Sequence, residues 1–216
     1  VIVALTAVVV GAVGAALIRL LAVSLAPGPV TVTILRSVID AVLLGAATAV
    51  AFNHAPSIAA GMAGVVALAA TMIATHIDQV YRVIPNRLTY RLPFVLAALT
   101  AFGMALDGTA DGVLLAGGLA VLAPVVLYSI SAVYARYTGQ NGFGMGDLKL
   151  VPSLTFAAAL WGSVAVAAYA YATFLTAAFV SSVLLVTGRA NRSSKLAFAP
   201  FFLVGMSVAV IAWPLL

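Results

Sequence analysis

Long apolar runs broken by short polar or turn-forming stretches make up this chain. A helix that crosses a membrane needs about 20 mostly apolar residues, within roughly 17–25. Runs near that length cover about residues 1–26, 30–52, 57–77, 92–106, 112–134, 163–186 and 196–216. The breaks between them carry turn chemistry: Pro27-Gly28-Pro29, Asn53-His54-Ala55-Pro56, Asp107-Gly108-Thr109-Ala110-Asp111 and the basic stretch 188–195. A polar stretch over 78–91 holds Pro85 as a breaker, and a glycine-rich stretch leads into Asp147. An eighth segment over 147–160 precedes a turn at Gly162. At about 1.5 Å per residue its fourteen positions reach only about 21 Å, short of a ~30 Å hydrocarbon core. The pattern predicts an all-α, polytopic transmembrane bundle of about eight helices, or six or seven if the segments around 147–187 merge. The runs are continuous rather than alternating, which argues against a barrel.

Composition agrees. Of 216 residues 65% are hydrophobic and 7% charged, whereas soluble domains are roughly 45–50% apolar and about 25% charged. The simplest organisation is one membrane-embedded domain over 1–216. The first segment is too long and too apolar for a cleaved signal peptide. Gly11 and Gly14 put small residues on one face of it, a signal for close helix packing.

The ten Lys and Arg set an orientation. With eight crossings, the breaks at 27–29, 78–91, 135–146 and 188–195 share one side. They and their flanks hold every basic residue: Arg19, Arg36, Arg82, Arg87, Arg91, Arg136, Lys149, Arg189, Arg192 and Lys195. The other breaks hold His54, Asp107 and Asp111 and no Lys or Arg. The positive-inside rule puts the basic side in the cytoplasm and both termini outside. The net charge of +5 fits loops beside an anionic leaflet, with no nucleic acid required. There is no Cys and no Glu, and His54 and His76 have no ligand cluster around them. No metal site and no cofactor are expected.

All five acidic residues are Asp: Asp40, Asp78, Asp107, Asp111 and Asp147. An ionisable residue inside or beside a membrane is expensive and is by default a functional candidate. Asp78 and Asp147 fall on the same side, as two cooperating carboxylates must. Peptide hydrolysis by such a pair needs one carboxylate ionised to take a proton from water and one protonated to polarise the carbonyl. Gly144 and Gly146 would give a substrate backbone clearance and allow positive φ next to Asp147. Pro85 would end the helix carrying Asp78. The same residues also fit a plain structural role, with both aspartates capping helices or pairing with Arg82 and Lys149. Arg36 and Asp40, at i and i+4, read as a structural ion pair. His76 and the two Trp, Trp161 and Trp213, read as interfacial. Asp107 and Asp111 read as shaping a solvated turn.

Gly144-Met145-Gly146-Asp147, with Lys149 two residues on, is a GxGD motif. Asp78, followed six residues later by Ile84-Pro85-Asn86 and then Leu88-Thr89, and Ala197-Phe198-Ala199-Pro200-Phe201-Phe202-Leu203-Val204-Gly205 complete the set. Together they resemble the type IV prepilin peptidases of the GxGD aspartyl protease class, over about 57–216. Residues 1–56 then form two additional N-terminal helices. The resemblance implies a catalytic pair Asp78 and Asp147, motif support from Gly144, Gly146 and Pro85, and a basic position at Lys149, for which snorkelling to headgroups is the simple role. It implies prepilin or pseudopilin substrates, cut after a basic leader at the cytoplasmic face of the inner membrane. Many members carry paired cysteines in a cytoplasmic insertion after the first helix, and many also methylate the new N-terminus. Here that place is Pro27-Gly28-Pro29, so the zinc module is absent, and the short form looks like peptidases of Flp/Tad-type pili. The alternatives are a bifunctional peptidase and methyltransferase, a small proton-coupled transporter with Asp40, Asp78 and Asp147 as relay carboxylates, and an inactive structural subunit that keeps the fold.

Overall fold

The computed structural model describes residues 2–29, 33–139, 143–191, 194 and 196–212. Arg192, Lys195 and Trp213, singled out in the sequence, lie outside the described residues, as does Gly142 of the glycine-rich stretch before Asp147. Among the described residues the chain forms eight α-helices: α1 (Ile2–Leu25), α2 (Ile34–His54), α3 (Ile58–Tyr81), α4 (Asn86–Asp107), α5 (Val113–Thr138), α6 (Met145–Ala159), α7 (Ser163–Val186) and α8 (Ala199–Ser207). A π-helical turn, Val208–Ala212, extends α8. Among the described residues there is no strand. Among the described residues six helices, α1 to α5 and α7, are long and apolar enough to cross a membrane. This is the all-α bundle of eight helices that the hydrophobic pattern predicts. The short α6 is a separate helix, divided from α7 at Gly162, whose φ of 110° suits glycine alone.

The link between α3 and α4 differs from the expectation. The polar stretch 78–91 is mostly helical, because α3 runs on to Tyr81 and α4 begins at Asn86. Only residues 82–85 link them. Pro85 therefore does not end the helix that carries Asp78. That helix ends at Arg82, which adopts the left-handed conformation (φ 56°, ψ 33°) and returns its N–H to the Asp78 carbonyl at 2.9 Å. Pro85 instead starts α4, its carbonyl taking the Leu88 and Thr89 N–H groups at 3.0 and 3.2 Å. Hydropathy marks where apolar residues begin, whereas a helix begins where its backbone finds a cap.

α3 is the centre of the bundle. Of its most apolar window 72% is buried, against 33% or less for each of the other five spans. It packs against α1, α2, α4, α6 and α8. Small residues allow this: Ala59, Ala60, Gly61, Ala63, Gly64, Ala67, Ala70 and Ala74 are all buried on it. In lipid, where helix association depends on close packing, such residues let backbones approach. Gly11 and Gly45 do the same between α1 and α2. A Cβ on Gly45 would lie 2.9 Å from the Ala7 carbonyl oxygen, and one on Gly11 would run into that of Ala41. The small-residue face expected at Gly11 and Gly14 is this contact.

Polar ties sort the loops into two ends. At one end Asp107 accepts from the Ile58 N–H at 2.8 Å and from the Thr109 N–H and hydroxyl at 3.0 and 2.7 Å. It shapes its own turn, as expected, and also caps α3 from another helix. Trp161 stands at this end too, but inside the bundle, its Nε1 donating to the Ala60 carbonyl at 2.8 Å. It is not an interfacial anchor, because its indole N–H finds a buried partner. The opposite end gathers Pro29, Asp78, Tyr81, Asn86, Lys149 and Ala199 through the contacts described below.

The crossing of α3 and α4 gives a stability prediction. A Cβ on Gly103 would sit 2.6 Å from the backbone of Ala59, whereas one on Gly117 would meet nothing within 4 Å. Gly103→Leu should destabilise the protein by about 1–3 kcal/mol or more through overpacking. Gly117→Ala should change stability by less than about 1 kcal/mol. Thermal unfolding in detergent reads both, and equal melting temperatures for the two variants would contradict the packing described.

Candidate active site

The first carboxylate lies in the last turn of α3. Asp78 is 5% exposed. Its Oδ2 accepts from the Ala199 N–H at 3.1 Å, the Phe198 N–H also reaches it, and the Arg82 guanidinium acts on it through space. Ala199 opens α8, and the first N–H groups of a helix have no partner inside it. Asp78 thus caps a helix 121 positions along the chain, with the positive end of the α8 dipole directed at the carboxylate.

The second carboxylate opens α6. Gly144 is the N-cap residue (φ −68°, ψ 143°), and its carbonyl takes the Leu148 N–H at 3.2 Å. Asp147, half-buried in the first turn, receives the Gly144 N–H on its carboxylate, the return half of a capping box on its own helix. The Asp78 carboxylate acts electrostatically on Asp147, which places the two acids in one another's field.

Contacts between the sequence motifs bring these turns together. Gly146 faces Ile84, and a Cβ there would lie 3.1 Å from the Ile84 Cβ. Gly144 leaves room for the carboxylate itself, since a Cβ would lie 2.8 Å from Asp147 Oδ2. Neither glycine has positive φ. Their role is clearance, and the positive φ expected of them is not used. Lys149 does not simply reach for headgroups. Its Nζ donates to Asn86 Oδ1 at 3.0 Å and lies 5.1 Å from the centre of the Tyr90 ring. Lys149 therefore joins the start of α6 to the start of α4. Neither it nor Asp147 is the other's partner, because Asn86 and Gly144 supply those partners.

An aromatic cluster that sequence reading passed over closes the site from the side. The Phe143 ring, next to Gly144, lies 5.5 Å from that of Phe198 and 6.2 Å from that of Phe174. Phe198, next to Ala199, lies 5.4 and 5.1 Å from Phe201 and Phe202. Edge-to-face pairs of this kind are worth about 0.5–1.5 kcal/mol each beyond area burial. They hold the approach to α6 against α7 and the start of α8. The available signal was the Phe on the first side of each motif, but periodicity does not say which rings meet. Two cavities, of about 240 and 430 Å³, lie elsewhere: one between α5, α6 and α7, the other along α1 and α2. Neither is lined by Asp78 or Asp147.

Asp40 is also buried, but Arg36 is not its partner. Its Oδ2 lies 2.7 Å from His76 Nε2, and both residues are inside the bundle. Helical spacing suggested Arg36; helix packing put His76 closer. His76 is accordingly a core residue and not interfacial. Among the described residues no group of three or more His, Cys, Asp or Glu could hold a metal ion.

Compared with protein-family models, with curated proteins and with solved structures, the chain has no match in any of the three. Its own residues therefore carry any functional reading.

The convergence of the two motifs can be tested chemically. Disulfides span a Cβ–Cβ distance of about 3.5–4.5 Å, a range whose lower end is a few tenths of an ångström beyond the 3.1 Å between a Gly146 Cβ and that of Ile84. In this cysteine-free chain, the pair Ile84→Cys and Gly146→Cys should crosslink on mild oxidation. The pair Ile84→Cys and Gly118→Cys should not. A gel shift under non-reducing conditions reads the result, and failure of the first pair would separate the two motifs.

Proposed function

We propose that this protein is a membrane aspartyl endopeptidase of the prepilin peptidase type, with Asp78 and Asp147 as its catalytic pair. One observation carries the reading. Two aspartates 69 positions apart come into one another's field at one end of the bundle, and all three motif stretches meet around them. Lys149, the basic residue two positions from Asp147, is held by Asn86, and Arg82 acts on Asp78 from the end of α3.

The chemistry follows from two acids sharing one proton. Closely placed carboxylates do not readily ionise together, and they titrate as a unit. The ionised member takes a proton from a water molecule as its oxygen attacks the scissile carbonyl. The protonated member donates to the carbonyl oxygen. The resulting diol collapses as a proton passes to the amide nitrogen, the C–N bond breaks, and the pair returns to one proton. Gly144 and Gly146 contribute the space beside Asp147 that a substrate backbone would need.

The substrates of this reading are prepilins or pseudopilins: a short basic leader followed by an apolar helix held in the bilayer. The transporter alternative has less support, since transporter sites lie near the midplane on broken helices. Asp78 and Asp147 instead occupy the last turn of one helix and the first turn of another. The basic residues around this end support a cytoplasmic face for it under the positive-inside rule, and the prepilin peptidase reading makes the membrane the inner one.

Two outcomes are expected. Co-expressed with a prepilin in cells lacking any other prepilin peptidase, Asp78→Asn and Asp147→Asn should each abolish the size shift of the processed product. The double variant should be no worse than either single, because residues acting as one unit are strongly non-additive. Asp111→Asn should process normally, and a strong chelator should leave cleavage intact. Processing by either single Asn variant would rule the mechanism out. For orientation, cysteines placed singly at Gln79 and Thr109 should differ toward an impermeant thiol reagent in intact cells. Only the one at Thr109 should label, and labelling at Gln79 would reverse the topology.

A further inference from the structure

Asp40 and His76 take no part in this chemistry, yet they form a buried hydrogen-bonded pair, with His76 two residues from Asp78. His76 is 3% exposed and Asp40 4%, with 2.7 Å between Nε2 and Oδ2. The other ring nitrogen, His76 Nδ1, is buried without a partner among the described residues. Asp40 is thus the one polar group seen to orient the ring. Such a pair carries a desolvation penalty that apolar residues of similar volume would avoid, and its best-attested use is to specify register.

Polar ties add to the register of α3. Half of its buried residues are alanine or glycine, which offer shallow ridges to neighbouring helices, and the larger Leu68, Met72, Ile73 and Ile77 lie from its middle toward Asp78. A slip of one residue rotates a helix by about 100° and shifts it by about 1.5 Å. That would carry the Asp78 carboxylate away from the Ala199 N–H and from Asp147. A second tie lies three residues past Asp78, where the Tyr81 hydroxyl donates to the Pro29 carbonyl at 2.8 Å. Gly28 lies against the same hydroxyl, and a Cβ there would come within 2.6 Å of it. Both ties lead to the α1–α2 hairpin, which is itself locked by Gly11 and Gly45. The hairpin therefore grips α3 on either side of Asp78.

We propose that Asp40 and His76 are positioning residues: their pair, with the Tyr81–Pro29 tie, sets the rotation and depth of the last turn of α3 and so holds Asp78 in place for hydrolysis. Residues 1–56 then belong to the catalytic unit and are not an accessory pair of helices. The catalytic half of this statement rests on the protease reading, and the register half does not.

Two measurements test the halves separately. Spin labels on cysteines at the exposed Gln79 and Thr187 compare the end of α3 with the end of α7. The parent should give one narrow distance distribution, and Asp40→Leu/His76→Leu a shifted or clearly broader one. Tyr81→Phe, which leaves no charge unpaired, should broaden it less. An unchanged distribution in both overturns the register claim, whether or not the protein is a protease. For catalysis, the probe is a vesicle-reconstituted peptide with a basic leader, a glycine and an apolar helix. Removing both partners of a buried pair is often neutral for stability, so the double Leu variant should melt close to the parent. Its kcat should nevertheless fall about tenfold to a hundredfold, as expected for ~1 Å of misplacement, with KM nearly unchanged. A merely structural pair predicts that kcat recovers along with stability, and that result overturns the positioning role. Asp40→Asn keeps an acceptor for the Nε2–H and should retain most of the parent's kcat; a loss as deep as that of the double variant would also overturn it. If distances respond while the parent fails to cut the probe, the catalytic half falls with the protease reading and the register half stands.

Discussion

Enclosing a helix of small residues at the centre of the bundle is the constraint on which the rest of the structure depends. α3 can be surrounded by five neighbours because alanine and glycine let their backbones come close. Leu68, Met72, Ile73 and Ile77 supply its larger buried side chains, from its middle toward Asp78. Polar ties add to this packing. Ile58 and Ala60 are held by Asp107 and Trp161 at one end, and His76, Asp78 and Tyr81 by Asp40, Ala199 and Pro29 toward the other. Hydrogen bonds between membrane helices are worth on average about 0.6 kcal/mol. Their main effect here is directional, since each can be made in only one rotation of α3.

At the candidate site, structural and chemical roles fall on the same atoms. Asp78 caps α8 and Asp147 caps α6, and both jobs turn a carboxylate toward the junction of helix ends. A helix cap and a catalytic acid need the same thing, which is a carboxylate held where backbone N–H groups converge. Arg82 shows what it takes to arrange this. It is the one non-glycine residue with positive φ among those described, a conformation that costs roughly 1–2 kcal/mol. In return the chain leaves α3 within one residue and reaches Ile84, which faces Gly146. Strain beside a candidate site is consistent with geometry being held for function.

The aromatic cluster and the Lys149–Asn86 bond do complementary jobs on α6. Lys149 ties its start to α4, and Phe143 ties the residue before its cap to α7 and α8. α6 is 15 residues long and needs such fixing at the end that carries Asp147. Its other end is held where Trp161 bonds to Ala60.

Eight helices, their order and the grouping of loops into two ends were legible from the sequence, because lipid imposes a length and a hydropathy on every crossing segment and leaves charge to the loops. The candidate aspartates were legible too, since a carboxylate is conspicuous in so apolar a chain. Partners were not. Asp40 binds His76 rather than Arg36, Trp161 is internal, Lys149 finds Asn86, and Asp78 caps a helix far along the chain. Each of these depends on how helices rotate and how deep they sit against one another. Apolar runs of alanine, valine and leucine around most of a helix carry little record of that, so only the packed bundle decides which polar atoms meet.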